Sequence, residues 1–357
     1  MIDSALFAGR FLRGINMNFK QRCMAFLQWM EQEKESLDLM ISKVKEMELK
    51  DAQAIFGPGV HITAIENEEG RFLVFYCDRV CWYYLFPCFF SVHPSVNGWL
   101  FQLGKLPMTD KEFTIQLYDE NIKAADIYLL LSDTGEVSYY NDQLITYSKD
   151  ESITLMQVLL RSYLGDALYM TQIRKIIPSE TPLSDSFPLV DILARFTEKG
   201  HALQANQLFS TYEPNVKSRN MLRFDIIAGV SSYLDTVNEY FYDVSRTYND
   251  CKDAGARLCF LSIQNEHISF QELFDLRIKI QDHLEKWLQR GKICETGTIL
   301  GAAIAPEHAY IDLLLCEENE KALLDSLSTF DAKIVLYPLI QSYSQKNESI
   351  DFVGAHR

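Results

Sequence analysis

The second half of the chain alternates strand and helix patterns, and this feature restricts the possible folds more than any other. Apolar runs predict strands at 257–263, 298–305, 309–316 and 333–339. Amphipathic spacing predicts helices at 269–290 and 318–329. The resulting order is β-α-β-β-α-β, the split order of a ferredoxin-like sandwich. We therefore expect a C-terminal domain of that type, preceded by a strand at 222–229 and a helix at 235–251.

The first half of the chain mixes helix and strand patterns without such a regular order. Helical spacing covers 22–49, 80–92 and 152–164, with Gly165 as the expected C-terminal cap of the last helix. Strand patterns cover 60–67, 71–77, 99–106, 112–119, 126–132 and 136–141. Together with the C-terminal pattern, these elements predict an α+β fold whose N-terminal domain is a mixed α/β sheet domain.

The domain boundaries are predicted from length and from one proline-rich segment. A chain of 357 residues is too long for one ordinary core, so two domains are expected. The segment PSETPLSDSFP at 178–188 concentrates prolines, serines and acidic residues, which is typical of a linker. The predicted division is 1–178 for the N-terminal domain, 179–218 for a linker and helical connection, 219–340 for the ferredoxin-like domain and 341–357 for a polar tail.

The charge of the chain argues against nucleic acid as a partner. The net charge is −15, and residues 1–200 contribute −8 while residues 201–357 contribute −7. Neither half has the basic stripe that phosphate contacts require. A basic protein or peptide is the partner that this charge favours.

The chain is also predicted to be soluble and cytoplasmic. The longest apolar stretch, at 80–92, is too short to span a bilayer and contains Pro87. Charged residues interrupt any N-terminal signal peptide. The eight cysteines are scattered through apolar segments, as reduced core cysteines are.

The most metal-like set of residues is Cys77, Cys81, Cys88 and His93. Structural zinc sites place ligand pairs on short turns, whereas Cys81 and Cys88 lie seven residues apart in an aromatic helix. Nucleophilic catalysis by Cys88 and His93 would further need an orienting group and oxyanion donors. We predict no metal, no cofactor and no catalytic residue. We also do not expect His308 and Asp312, on a predicted hairpin, to form a functional pair.

Two predicted strands carry a polar face that is a candidate for ligand binding. Alternation places Arg223 and Asp225 on one face of the strand 222–229, and Tyr310 with Asp312 on one face of the strand 309–316. If these strands are neighbours, the four side chains line the open face of a helix-backed sheet. Polar residues there are equally typical of a sheet with one wet face.

The N-terminal half contains, in this order, FLVFYC, an apolar block to Val92, His93-Pro94 and Asn97-Gly98-Trp99. This order resembles a recurring pattern in a family of uncharacterised bacterial proteins. A helix running into Leu164-Gly165-Asp166 before 169–176 extends the similarity over about residues 22–178. His93 departs from the pattern, where a small residue is expected. The resemblance implies an α+β fold and no activity. The C-terminal half is similar in outline to small bacterial inhibitor and regulator domains that bind proteins.

The sequence therefore predicts a bacterial protein that acts by binding another protein and has no catalytic activity. An immunity or inhibitor protein is the most concrete form, because an acidic surface can mask a basic toxin. One alternative is a small-ligand binder or enzyme that uses the open sheet face. The other is a structural or assembly subunit. Neither the partner's identity nor an oligomeric state follows from the sequence.

Overall fold

The computed structural model describes residues 17–117, 120–132, 135–198, 210–213, 222–317 and 319–340. The described helices are α1 (Phe19–Val44), α2 (Lys50–Phe56), α3 (Trp82–Phe90), α4 (Lys149–Gln172), α5 (Ile192–Glu198), α6 (Leu234–Phe241), α7 (Arg246–Asp253), α8 (Phe270–Leu288) and α9 (Glu320–Leu327). Short 3-10 helices lie at Ala124–Asp126, Leu144–Thr146 and Leu189–Asp191. The predicted tail at 341–357 lies outside the described residues.

The strands of the first half are β1 (Glu46–Glu48), β2 (Val60–Asn67), β3 (Gly70–Cys77), β4 (Ser95–Val96), β5 (Trp99–Leu103), β6 (Thr114–Leu117), β7 (Glu120–Lys123), β8 (Tyr128–Leu131), β9 (Glu136–Tyr140) and β10 (Lys175–Pro178). They are followed by β11 (Phe187–Pro188), β12 (Ser210–Tyr212), β13 (Ala228–Ser231), β14 (Arg257–Gln264), β15 (Gly297–Ile304), β16 (Ala309–Leu315) and β17 (Lys333–Pro338). The mixture of helices and sheets confirms the predicted α+β class.

The chain divides into two compact units whose borders differ from the predicted ones. Unit 1 combines residues 1–101 with 209–357, and unit 2 is residues 102–208. The proline-rich segment 178–188 lies within unit 2, because β11 pairs with β8 and Phe187 is buried in the unit 2 core. Prolines and serines are common in linkers but also in ordered loops, so the composition of this segment does not distinguish the two.

Unit 1 contains a six-stranded sheet with the order β12-β13-β15-β16-β14-β17. The predicted hairpin of 298–305 with 309–316 is confirmed, since β15 pairs antiparallel with β16. One face of this sheet packs on α8 and α9 through Leu261, Leu273, Ile311 and Leu323. A capping box of Ser269 and Glu272 begins α8 close to its predicted start.

The opposite face of this sheet is covered as well. Helix α7 packs on β14, and α3 packs on β15. Every residue of β15 and of β16 is buried. The expectation of an open sheet face is therefore wrong, because helices placed elsewhere in the sequence lie over it.

The N-terminal part of unit 1 builds a second sheet and an aromatic core. The sheet has the order β1-β2-β3-β5-β4, and the predicted hairpin of β2 and β3 is confirmed. Aromatic rings from α1, α2, β3, α3 and β5 contact one another, among them Phe19, Phe26, Phe56, Phe75, Trp82, Phe86, Phe89 and Phe101. The apolar block at 80–92 is thus a buried helix, as predicted.

Unit 2 has its own core beneath a four-stranded sheet of order β10-β9-β8-β11. Helix α4 begins at a capping box of Ser148 and Glu151. Gly165 has a φ of 74° and a ψ of 164°, so the regular helix that begins at Lys149 ends there, as predicted, and a second helical segment follows the kink to Gln172. Within the segment 169–176, residues up to Gln172 are helical, and β10 begins only at Lys175.

Candidate functional site

The four predicted binding residues come together in unit 1, although not on two neighbouring strands. Tyr310 and Asp312 lie on β16, as expected. The predicted strand 222–229 is wrong, because its first residues form turns and only Ala228–Ser231 is a strand. Arg223 has a φ of 70°, a left-handed backbone conformation that no strand contains.

Arg223 and Asp312 form a buried bidentate ion pair. Arg223 Nη1 donates to Asp312 Oδ1, and Arg223 Nη2 donates to Asp312 Oδ2 at 3.0 Å. Both side chains are 0% exposed. Arg223 Nη2 also donates to the Tyr212 hydroxyl at 3.2 Å, which joins β12 to the pair. Such a fork-to-fork contact fixes orientation as well as charge.

Aromatic rings surround the guanidinium of Arg223. Its Cζ atom lies 4.9 Å from the ring centroid of Phe260, 5.4 Å from that of Tyr240 and 5.6 Å from that of Tyr310. These are cation-π distances in a desolvated site. Burial alone would lower the pKa of Arg223, but the adjacent Asp312 carboxylate outweighs burial and raises it. The arginine therefore stays charged inside the protein.

A second set of contacts links this pair to the edge of the sheet. Tyr310 accepts a hydrogen bond from the Arg223 backbone N–H at 3.1 Å and donates to Asp225 Oδ1 at 2.8 Å. Asp225 Oδ2 lies 3.1 Å from Nδ1 of His308. Burial raises the pKa of Asp225, but hydrogen bonds from His308 and Tyr310 outweigh it, so the pKa lies below the usual value for aspartate. Asp225 is thus held as a carboxylate.

The partly exposed members of this cluster are Asp225 and His308, whose side chains are 14% and 21% exposed. The contact between Nδ1 of His308 and the Asp225 carboxylate holds the imidazole ring in one orientation. The pairing of His308 with Asp312 considered from the sequence is not the one formed. His308 pairs instead with Asp225, 83 positions away in the chain.

Sequence reasoning missed three members of the cluster, Tyr212, Tyr240 and Phe260, and it paired His308 with the wrong carboxylate. Tyr212 and Tyr240 precede and follow Arg223 in separate elements, and no short-range pattern joins them. Alternation within β14 could have identified Phe260, since it lies opposite Asp312 in the β14–β16 register. The others depend on tertiary packing alone.

Cys77, Cys81, Cys88 and His93 do not converge on one point. The thiols of Cys81 and Cys88 each donate to a different backbone carbonyl, those of Asp250 and Tyr84. The His93 ring packs in a tilted arrangement against Phe89, with ring centroids 5.7 Å apart. In the described parts of the chain, no group of three or more His, Cys, Asp or Glu side chains is arranged to hold a metal ion.

Comparisons with protein-family profiles, with curated proteins and with solved structures found no match. Within the residues that the structure describes, no helix is long and apolar enough to cross a membrane.

Proposed function

We propose that this protein acts without catalysis by binding another protein, and that its most concrete role is that of an immunity or inhibitor protein for a basic bacterial toxin. The buried state of Arg223, Tyr310 and Asp312 supports this proposal, because these polar groups bond to one another and not to an open pocket. A cytoplasmic location is part of the proposal. It is supported by the eight cysteines, all within the described residues, none of which forms a disulfide.

The observation that carries the proposal is the outer face of the four-stranded sheet in unit 2. Tyr128 and Leu130 are 43% and 41% exposed on β8, while Leu129 between them is buried in the core. Tyr128 lies opposite Tyr140, and Leu130 lies opposite Ser138. Exposed apolar side chains side by side on one face of a sheet are a candidate binding surface.

The charges around this face favour a basic partner. Unit 2 contains 9 Lys and Arg against 15 Asp and Glu. The Tyr140 hydroxyl donates to the exposed carboxylate of Asp142 beside the face. Acidic groups at the rim of an apolar surface speed the capture of a cationic protein and make binding dependent on salt.

The test is recovery of a stoichiometric partner from native lysate with the intact chain as bait. The double substitution Tyr128→Ser with Leu130→Ser should lose that partner, and higher salt should slow its association. Tyr242→Ser removes a tyrosine that is 68% exposed in unit 1 and serves as the matched control. A partner that the double variant still retains, or the absence of any stoichiometric partner, contradicts the proposal. Self-association through the same face would support an assembly subunit instead.

The runner-up is a small polar ligand or substrate at Asp225 and His308. The partly exposed carboxylate and imidazole, 3.1 Å apart, favour it. Ligand-induced thermal stabilisation that disappears in His308→Ala but survives Tyr128→Ser would support this function over protein binding.

We further propose that the C-terminal sheet is ferredoxin-like. The strand order β15-β16-β14-β17 and the helices α8 and α9 between its strands support this assignment.

A further inference from the structure

Four of the eight cysteines meet in unit 1, although they come from four separate elements. Cys23 lies on α1, Cys88 on α3, Cys294 in the loop between α8 and β15, and Cys316 directly after β16. Each is at most 1% exposed. We call these four residues the thiol cluster.

Backbone hydrogen bonds hold the segments of the thiol cluster side by side. The N–H of Glu295, next to Cys294, donates to the carbonyl of Cys88 at 2.7 Å. The N–H of Cys316 donates to Thr296 at 2.8 Å, and its carbonyl accepts from Lys20 at 3.2 Å. The convergence is therefore fixed by the main chain and does not depend on side-chain rotamers alone.

The thiols of the cluster also influence one another's ionisation. That of Cys294 depends on hydrogen bonding with the thiols of Cys23 and Cys316, and that of Cys316 also on the thiol of Cys88. Hydrogen bonds from Cys23 and Cys316 lower the pKa of the Cys294 thiol to about 5. Burial raises the pKa of Cys23, and bonding to Cys294 raises that of Cys316, so both keep their protons. One thiolate thus lies between two thiols, the arrangement that disulfide formation needs.

Cys294 is itself 1% exposed, so a small oxidant reaches its sulfur only when the loop opens locally. Cys294 belongs to a surface loop in which the neighbouring Lys292 is exposed. An ion pair of Lys20 and Glu317, 2.6 Å apart and 35% and 17% exposed, lies beside it. Local opening of such a loop needs less free energy than unfolding of the sheet.

We propose that the thiol cluster is an oxidisable site at which a hydroperoxide converts Cys294 and one of its hydrogen-bonded neighbours, Cys23 or Cys316, into a disulfide. The Cys294 thiolate attacks the terminal oxygen of the hydroperoxide, the O–O bond breaks, and the remaining oxygen leaves as hydroxide or alkoxide. Cys294 is then a sulfenic acid.

The neighbouring sulfur next attacks the Cys294 sulfur. The S–S bond forms, the S–O bond breaks, and the oxygen leaves as water with the proton of the neighbouring thiol. Two thiols are oxidised, and one hydroperoxide is reduced to water and an alcohol, or to two waters when it is hydrogen peroxide. The disulfide would tie the loop before β15 either to α1 or to the end of β16. This inference does not depend on the proposed binding function.

The test uses the reduced full-length chain treated with hydrogen peroxide, then alkylated under denaturing conditions and mapped by mass spectrometry. The expected result is one disulfide that joins the Cys294 peptide to the Cys23 or the Cys316 peptide. Cys294→Ser should abolish it. The matched control is Cys251→Ser, which breaks the other bonded thiol pair, Cys81 with Cys251, and should leave the disulfide unchanged.

The inference would be overturned by full alkylation of Cys23, Cys294 and Cys316 after peroxide treatment, or by a disulfide confined to Cys81 and Cys251. Copurification of a metal ion that protects the thiol cluster from alkylation would overturn it as well. The mapping of the wild-type chain decides the question even if Cys294→Ser fails to fold, which circular dichroism would reveal.

Discussion

Arg223 is the residue on which the interior of unit 1 depends most strongly. Its guanidinium is charged and 0% exposed. Among the described residues, Asp312 is the acidic residue that bonds to this guanidinium and balances its charge. Its Nε atom has no hydrogen-bond partner among the described residues. A buried ion pair of this kind adds little net stability, but loss of one partner leaves an uncompensated charge inside the protein.

We expect Asp312→Leu to lower the free energy of unfolding of unit 1 by about 3–5 kcal/mol, because it leaves the buried Arg223 charge without its carboxylate partner. The double change Arg223→Met with Asp312→Leu should cost less than Asp312→Leu alone. Urea unfolding followed by tryptophan fluorescence measures both, since Trp29, Trp82, Trp99 and Trp287 all lie in unit 1. Additive effects of the two single changes would contradict the coupling.

At the scale of the element, Gly165 interrupts α4 and divides it into two helical segments. Gly165 adopts the positive φ of a helix C-cap, at 74°, and the chain then resumes a helix to Gln172. A Cβ at this position would lie 2.8 Å from the carbonyl oxygen of Lys105 and 3.0 Å from the nitrogen of Pro107. Close approach of that loop and the left-handed backbone both require glycine.

We expect Gly165→Ala to destabilise unit 2 by more than about 1 kcal/mol, because alanine meets both a strained φ and a backbone clash. Thermal unfolding followed by far-ultraviolet circular dichroism measures the change. Val158→Ala, on the same helix and 58% exposed, should change stability by no more than about 0.5 kcal/mol. Equal effects of the two substitutions would show that Gly165 is not constrained.

At the scale of the whole molecule, unit 1 is discontinuous in sequence and unit 2 is not. The two segments of unit 1 interlock: the Phe19 N–H donates to the carbonyl of Gly255 at 2.8 Å, and Tyr84 stacks on Tyr233 at 4.6 Å. Gly255 has a φ of 79°, and a Cβ there would meet the Met17 carbonyl oxygen at 2.5 Å. Unit 2, by contrast, closes its own core within residues 102–208.

We therefore expect the excised segment 102–208 to unfold cooperatively by itself, whereas 1–101 alone should not fold, because it loses the contacts with 209–357, such as Tyr84 on Tyr233 and the Phe19 N–H on the Gly255 carbonyl. Thermal melts followed by circular dichroism test both fragments. A cooperative transition for 1–101 alone would contradict the assignment of this segment to unit 1. Recovery of structure on mixing 1–101 with 209–357 would support it.

The sequence by itself determined the type and position of most elements. The β2–β3 hairpin, the β15–β16 hairpin, helices α1, α8 and α9, and the buried block at 80–92 follow from periodicity and turn residues. These signals are local, so they do not depend on the rest of the chain. The local signal fails at two non-glycine residues with a left-handed backbone. Arg223 interrupts the predicted strand 222–229, and Asp243, with a φ of 55°, lies between α6 and α7, where one helix was predicted.

Only the tertiary structure decided what the polar residues do and where the units divide. Arg223, Asp225, Tyr310 and Asp312, which alternation grouped on two strands, do meet in the structure, although Arg223 and Asp225 lie in a turn. Alternation also predicted an open face, because it carries no information on helices α3 and α7, which pack on the sheet. The contacts of Asp225 with His308 and of Cys23 with Cys294 join residues far apart in the chain. Such contacts arise from burial of the whole core, which no short window of sequence encodes.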